Sequence, residues 1–136
     1  MDILLVESDH LIRDQVKVGL QQFPEFRVTW GESYPGINLV RMKNYNYVFL
    51  GIHSQDHDGL RLLRHMRSFD QRTDVIVVTS QRAARDLAKD KSRLGIYAFL
   101  TTPIDVTDFF RLVSRLRARH QTQHTHSKAP GAMPGH

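Results

Sequence analysis

Short apolar runs alternate along the chain with longer segments whose apolar residues recur at helical spacing. Runs of strand length that are apolar at nearly every position are typical of parallel strands covered on both faces. The second run alternates apolar and polar residues, which predicts a less buried strand. The predicted strands span residues 3–6, 26–30, 47–51, 75–78 and 97–100.

Helical periodicity follows each of these strands. The first helix must end before Pro24, which cannot continue it, and the fourth is expected to end at Gly95. Asp58 and Asp105 are suitable N-terminal caps for the third and the last helix. The apolar positions of the first helix are Ile12, Val16, Leu20 and Phe23, and a second helix is predicted near 35–43. In the third helix Leu60, Leu63 and Met66 share a face. The fourth helix is a polar segment near 81–93, and the last helix has Phe109, Phe110, Val113 and Leu116 on its apolar side.

This order of elements predicts an α/β fold with a doubly wound parallel sheet, in which right-handed crossovers place helices on both faces. The length of 136 residues, with 40% hydrophobic and 24% charged residues, suits one globular domain. We predict that this domain covers residues 1–120. Residues 121–136 change to Gln, Thr, His, Ser, Pro and Gly, which predicts a flexible tail or linker.

Composition narrows the classes of function. The absence of cysteine excludes disulfides, thiolate metal sites and thiol nucleophiles. No signal peptide or transmembrane run is visible, which predicts a cytoplasmic protein. The net charge of +5 is concentrated near the end, which we interpret as a solvated helix face and a basic tail. Attraction of nucleic acid or an acidic partner is the alternative. The residues of this cluster are Arg111, Arg115, Arg117, Arg119 and Lys128.

Candidate chemistry lies at the carboxyl ends of the predicted strands, where doubly wound sheets form their sites. Residues 3–9, 58–60 and 99–103 resemble, in sequence and spacing, the receiver domains of bacterial response regulators. The resemblance covers roughly residues 1–120. It implies a flavodoxin-like sheet in the order 2-1-3-4-5 with five helices, and a role in two-component signal transduction. The residues at the strand ends are Glu7, Ser8, Asp9, Gly51, Thr79, Ser80, Phe99 and Thr102.

Most residues that the resemblance assigns to phosphoryl transfer are replaced. Receivers hold magnesium with paired carboxylates, and here Glu7 matches one acid while Ser8 stands at the second position. Gly51 stands where the family has the aspartate that accepts the phosphoryl group. Thr102 replaces the lysine of the family, although Pro103 is retained. We therefore predict a degenerate site without a cofactor, and we expect Ser8→Asp, Gly51→Asp and Thr102→Lys together to restore it.

Some site residues have a simpler structural interpretation. Thr79 and Phe99 match the switch pair of the family, but a strand-end threonine and a packed phenylalanine are common in α/β proteins. Asp9 lies one residue too late for the second acid, so we favour capping of the first helix over a weak metal site with Glu7.

Histidines offer a second candidate site. His53 belongs to a loop that contains further polar residues, where a metal ion or a phosphohistidine is conceivable. We favour solvated loop histidines, because ligands four residues apart align only on a helix. The tail offers no fixed geometry for a metal. The residues of the two groups are His53, Asp56, His57 and Asp58 in the loop, and His120, His124 and His126 in the tail.

The first functional hypothesis is a non-enzymatic receiver-like module that binds a protein partner or output domain and takes part in transcription regulation. The resemblance also implies a homodimer as one form of this module. The surface implied by the resemblance is the fourth helix, fifth strand and fifth helix, with Arg82, Arg85, Lys89, Phe99, Arg111 and Arg115. One alternative is phosphorylation at Ser54, Asp56 or Asp58 with magnesium on Glu7 and Asp9. A basic nucleic-acid-binding module is the other, although nucleic acid is not the partner we expect for this domain alone.

Overall fold

The computed structural model describes residues 1–31, 33–53 and 58–132. The chain divides into two compact units, residues 1–104 and 105–136, which are described separately. The division falls before the last helix, and the predicted boundary between residues 120 and 121 stays a prediction.

The first unit is built on a parallel sheet of five strands in the order β2-β1-β3-β4-β5. The predicted fold class and strand order are therefore confirmed. Each neighbouring pair is parallel, so the carboxyl ends of all the strands meet at one edge of the sheet. The strands are β1 (Asp2–Val6), β2 (Arg27–Gly31), β3 (Tyr47–Gly51), β4 (Asp74–Ser80) and β5 (Ile96–Thr102).

Helices connect these strands. The predicted helix over 81–93 is interrupted by a short 3₁₀ turn, and it ends at Gly95, whose φ of 68° is in the left-handed region that favours glycine. The helix predicted near 35–43 begins earlier and changes to 3₁₀ geometry. The segments are α1 (His10–Gln21), α2 (Ser33–Ile37) with a 3₁₀ helix (Asn38–Arg41), α3 (Asp58–Arg67), α4 (Gln81–Leu87) with a 3₁₀ helix (Ala88–Asp90), and α5 (Lys91–Leu94).

The core of the first unit follows the hydrophobic pattern. The apolar positions of β1, β3 and β4 are buried, as expected for central strands covered on both faces. The edge strand β2 is less buried, and its Trp30 is 46% exposed. A continuous apolar cluster that includes Val48, Leu63 and Met66 supports one face of the sheet. This support fixes the backbone of the strand ends at which the candidate site lies.

The second unit consists of α6 (Val106–Ala132). Its buried residues are Phe109, Leu112, Val113 and Leu116, whereas Phe110 is 42% exposed. The sequence pattern was therefore wrong to place Phe110 on the apolar side. The helix continues beyond residue 120 to Ala132, and the predicted tail or linker over residues 121–136 stays a prediction. No helix in the described part of the chain is long and apolar enough to cross a membrane.

Candidate functional site

The structure brings the predicted site residues of the first unit to the carboxyl edge of the sheet. Glu7 follows β1 directly, and Gly51 is the last residue of β3. Gly51 pairs with Val78 in β4, immediately before Thr79, and Ser80 pairs with Thr102 in β5. The strand ends therefore surround Gly51, as the sequence predicts.

Glu7 is the central side chain of this edge, because it is a buried carboxylate. Its relative exposure is only 1%. Glu7 Oε2 accepts a hydrogen bond from the backbone N–H of Asp9 at 3.1 Å and lies 2.7 Å from Nε2 of His53. Glu7 Oε1 has no hydrogen-bond partner among the described residues. A carboxylate this deeply buried depends on its remaining partners, since desolvation of the charge is costly.

The Glu7 carboxylate lies where a side chain at position 51 would begin. A Cβ atom built on Gly51 would be 2.5 Å from Cδ of Glu7 and 2.6 Å from Oε2 of Glu7. Real carbon atoms do not approach so closely, so any larger residue at position 51 would displace Glu7. The glycine and the buried glutamate therefore fit one another.

His53 is a member of the site that the sequence analysis did not recognise. We expected a solvated loop histidine, but its side chain is 25% exposed and contacts the buried Glu7. The available signal was its position two residues after the end of β3, beside an acid at the end of β1. The other loop positions, Ser54, Asp56 and His57, lie outside the described residues. Asp58 is exposed in the first turn of α3, 3.7 Å from Nη1 of Arg61.

Asp9 caps α1, which is the role that its position in the sequence favours. Its Oδ1 accepts hydrogen bonds from the backbone N–H groups of Leu11 and Ile12 at 2.9 and 3.0 Å. Ser8 is exposed, and Ser80 caps α4 through a hydrogen bond from the N–H of Ala83 at 3.1 Å. The polar residues beside the strand ends therefore stabilise helix termini.

Thr79 and Phe99 differ in their surroundings. Thr79 is completely buried, and its Oγ1 has no hydrogen-bond partner among the described residues. Phe99 is half-buried and packs against the apolar cluster of the first unit. The packing of Phe99 agrees with its structural interpretation. Thr79, in contrast, has a buried hydroxyl group without a hydrogen-bond partner in the described ranges. Thr102 is half-buried at the end of β5.

The donor set at this edge does not suit magnesium. Magnesium prefers several oxygen ligands in octahedral geometry, usually with more than one carboxylate oriented towards it. Glu7 is turned over Gly51, Asp9 is used as a cap, and Ser8 contributes no charge. The described ranges contain no group of three or more His, Cys, Asp or Glu residues that could hold a metal ion.

Gly59 brings α3 against the end of β3. A Cβ atom on Gly59 would be 2.8 Å from Cα of Ile52 and would also collide with the carbonyl oxygen of Gly51. The N-terminus of α3 therefore packs directly on the strand end that carries Gly51. This contact leaves little room for the backbone to shift and accommodate a side chain at position 51.

Comparisons with known proteins agree with this architecture. A sequence model of the response regulator receiver domain matches residues 3–114. The transcriptional regulatory protein QseB of Escherichia coli O157:H7 is 30% identical over 124 residues, which cover 90% of this chain and 56% of that protein. The transcriptional regulatory protein MalR of Bacillus subtilis is 25% identical over 128 residues, which cover 93% of this chain and 54% of that protein. The chain thus spans slightly more than half the length of these relatives.

A solved structure shows the same fold. The crystal structure of NtrX from Brucella abortus has a TM-score of 0.75 and 22% sequence identity, and the match covers 93% of this chain and 29% of that one. At this identity the likeness concerns the fold.

Proposed function

Since the chain belongs to the response regulator receiver domain family of two-component signalling, we propose that it is a receiver that acts without accepting a phosphoryl group. Receiver domains typically signal by binding other proteins, and we extend this to a non-enzymatic role for this chain. The observation that carries the proposal is the replacement of the acceptor by Gly51, whose side-chain space is filled by the buried carboxylate of Glu7.

Three further features support the loss of phosphoryl chemistry. Ser8 stands at the position of the second acid while Asp9 caps α1, and Thr102 offers no positive charge to phosphoryl oxygens. The short contact between Glu7 and His53 engages the one carboxylate that matches the family pattern. Nucleophile, metal ligand and charge partner are thus replaced together, so no single substitution restores the reaction.

Intact-mass spectrometry tests this proposal. The protein is incubated with acetyl phosphate and magnesium beside a receiver domain of known phosphorylation. We expect no mass increase in this protein and one phosphoryl group on the control. A stoichiometric adduct would overturn the proposal. Peptide mapping of such an adduct would then locate it among His53, Ser54, Asp56 and Asp58.

A matched variant of the same chain strengthens the comparison. Ser8→Asp, Gly51→Asp and Thr102→Lys together supply the metal ligand, the acceptor and the charge partner, and Glu7 must leave its present position to admit the new aspartate. We expect magnesium-dependent phosphorylation of this variant. A folded but inert variant would show that the backbone of the site has diverged as well.

We further propose that the domain binds a protein partner, with a second copy of the chain as the first candidate. In the first unit, α4 and the following turn expose Arg82, Arg85 and Lys89. In the second unit, α6 exposes Val106 and Phe110, which are 67% and 42% accessible. On α6 these apolar side chains lie beside Arg111 and Arg115, and apolar side chains beside exposed cations are typical of interfaces that combine burial with charge complementarity.

Sedimentation equilibrium tests both candidate surfaces, the one on α4 with the following turn and the one on α6. Charge reversal at Arg82, Arg85 and Lys89 should weaken self-association, and the dimer of the unchanged protein should weaken as salt rises. Phe110→Ser, beside Arg111 and Arg115 on α6, should weaken it independently of salt. A monomer at all concentrations would remove the dimer and leave a different protein as the partner.

We propose transcription regulation as the process served by this domain, because QseB and MalR are transcriptional regulatory proteins, of which the matched segments cover 56% and 54%. A reporter assay with the full coding sequence, comparing the unchanged protein with Gly51→Asp, would test it. Equal reporter output from a deletion strain would contradict the proposal.

A further inference from the structure

A groove of about 450 Å³ lies at the amino edge of the sheet, opposite the edge that carries Gly51. Its walls are the end of the first 3₁₀ helix with the loop that precedes β3, and the loop that precedes β4. This amino-edge groove is lined by Val40, Arg41, Asn44, Phe69, Gln71 and Arg72, together with the turn at 70–73. None of these residues belongs to the candidate site at the carboxyl edge of the sheet.

Arg41 is held in place by a stack of side chains. Its guanidinium carbon lies 4.2 Å from the ring centroid of Phe69. The ring of His65 meets Phe69 edge-on at 5.4 Å, and Nε2 of His65 is 3.1 Å from Oδ1 of Asn38. Stacking engages the flat face of a guanidinium and leaves its N–H groups directed outwards in the plane. The stack therefore favours a position of the Arg41 guanidinium against Phe69.

The carboxylate of Asp70, which lies near Arg72 in the sequence, accepts hydrogen bonds from its own turn. Oδ1 of Asp70 accepts hydrogen bonds from the N–H groups of Arg72 and Thr73 at 2.8 and 3.0 Å, and Oδ2 accepts one from the hydroxyl of Thr73 at 2.6 Å. Within the described ranges, neither the Arg41 nor the Arg72 guanidinium has a hydrogen bond or an ion pair. The guanidinium groups of Arg41 and Arg72 thus line the same groove, and neither has a hydrogen-bond acceptor among the described residues.

We propose that the amino-edge groove binds a phosphate-bearing anion. Forked guanidinium donors match the tetrahedral oxygens of phosphate, and the amides of Asn44 and Gln71 add neutral donors at the rim. The volume lies within the range of small-ligand sites, so a sugar-sized phosphate ester fits as well as phosphate itself. The shared chemistry could come from a small metabolite or from a lipid headgroup.

Nuclear magnetic resonance titration of the whole protein with inorganic phosphate, at constant pH and ionic strength, tests the site. We expect saturable shifts of the Arg41 and Arg72 Nε–H signals and of the backbone amides of residues 70–73. Arg72→Gln, which leaves the Arg41 stack intact, should weaken binding about tenfold, and so should Arg41→Gln. Arg61→Gln, an exposed arginine of α3, is the matched control and should leave binding unchanged.

Two arms separate the sources of phosphate. Tighter binding of glucose 6-phosphate than of inorganic phosphate would support a metabolite. Sedimentation with phosphatidic acid vesicles, lost in Arg72→Gln, would support a lipid headgroup. Shifts that do not saturate, that affect exposed basic residues throughout the protein equally, or that weaken as much in Arg61→Gln as in Arg72→Gln would overturn the proposal.

Discussion

At the level of single residues, the site depends on how Glu7, Gly51 and His53 share a small volume. The glutamate is buried, its carboxylate covers the glycine, and the histidine contacts one carboxylate oxygen. Each of these residues looks ordinary in the sequence. Their combination creates an arrangement in which a change at one position alters the surroundings of the other two.

Gly51→Ala should destabilise the protein, because its Cβ would collide with the buried carboxylate of Glu7. We expect a loss of about 1–3 kcal/mol in the free energy of unfolding, measured by urea denaturation. Gly19→Ala within α1 is the control and should be neutral or stabilising by helix propensity. Equal stability of Gly51→Ala and the unchanged protein would show that Glu7 relocates without cost.

His53→Ala should destabilise the protein by about 1–3 kcal/mol, because it removes a partner from a buried carboxylate. Adding Glu7→Gln to His53→Ala should reduce that loss, since a neutral amide costs less to bury than a charge. Urea denaturation of the two single variants and the double variant measures this coupling. His10→Ala, at an exposed histidine, is the control, and additive effects of the two changes would contradict the contact.

At the level of secondary-structure elements, Arg67 joins the end of α3 to two turns. Its guanidinium donates hydrogen bonds to the carbonyl oxygens of Leu94, Asp70, Thr73 and Gly95 at 2.7–3.0 Å. Burial lowers the pKa of Arg67 from its usual value, with nearby aspartates opposing the shift. One side chain thus satisfies carbonyl groups before β4 and before β5.

Arg67→Met should destabilise the protein by about 2–4 kcal/mol, because four carbonyl oxygens would lose their donor. Arg67→Lys should recover only part of this loss, since an ammonium group cannot reproduce the planar fork. Thermal and urea unfolding measure both. Arg64→Met, at an exposed position of the same helix, provides the control. A loss below that of the control would refute the joining role.

Asp2 ties the first strands together. It forms a bidentate pair with Arg27 at 2.8 and 3.0 Å and lies 3.1 Å from Nζ of Lys43. The hydrogen bonds from Arg27 lower the pKa of Asp2 far below its usual range, burial opposes them, and Lys43 adds to the lowering. A lowered pKa in the folded state contributes stability above the ordinary aspartate pKa of about 4 and loses it as the pH falls further.

Asp2→Asn should therefore reduce stability most at neutral pH. The difference from the unchanged protein should shrink as the pH falls below about 4, where the unfolded-state carboxylate becomes protonated. Urea midpoints measured between neutral and acidic pH give the test. Asp14→Asn is the control, because the side chain of Asp14 is 56% exposed and its contacts with Arg13 and Lys17 are long, at 3.9 and 3.8 Å. A difference that is independent of pH would contradict the assignment.

For the whole molecule, the hydrophobic pattern was sufficient to predict the sheet, its connections and the edge at which the site lies. Parallel strands covered on both faces leave a clear signal, because their apolar runs are short and continuous. The role of His53 could not be read in this way, since it depends on the direction in which the Glu7 side chain turns. The prediction that Phe110 lies on the apolar side of the last helix was wrong for a related reason, because consecutive phenylalanines cannot both face one side of a helix.

The proposed absence of an acceptor also predicts how the molecule responds to a phosphoryl mimic. Beryllofluoride with magnesium should leave the amide spectrum and the sedimentation behaviour unchanged, because it requires a carboxylate to coordinate. The Ser8→Asp, Gly51→Asp and Thr102→Lys variant is the comparison. Shifts around β4 and β5 in the unchanged protein would contradict a phosphorylation-independent receiver.

The filled space above Gly51 has a consequence for the history of the protein. A lineage that has merely lost its acceptor can regain it by one change of codon, but here an aspartate at position 51 would have to displace the buried carboxylate of Glu7. Reversion thus begins with a less stable protein that still lacks the second acid and the lysine. The packing around position 51 thus opposes a return to aspartate. We expect descendants of this chain to diversify their binding surfaces while the residue at position 51 stays small.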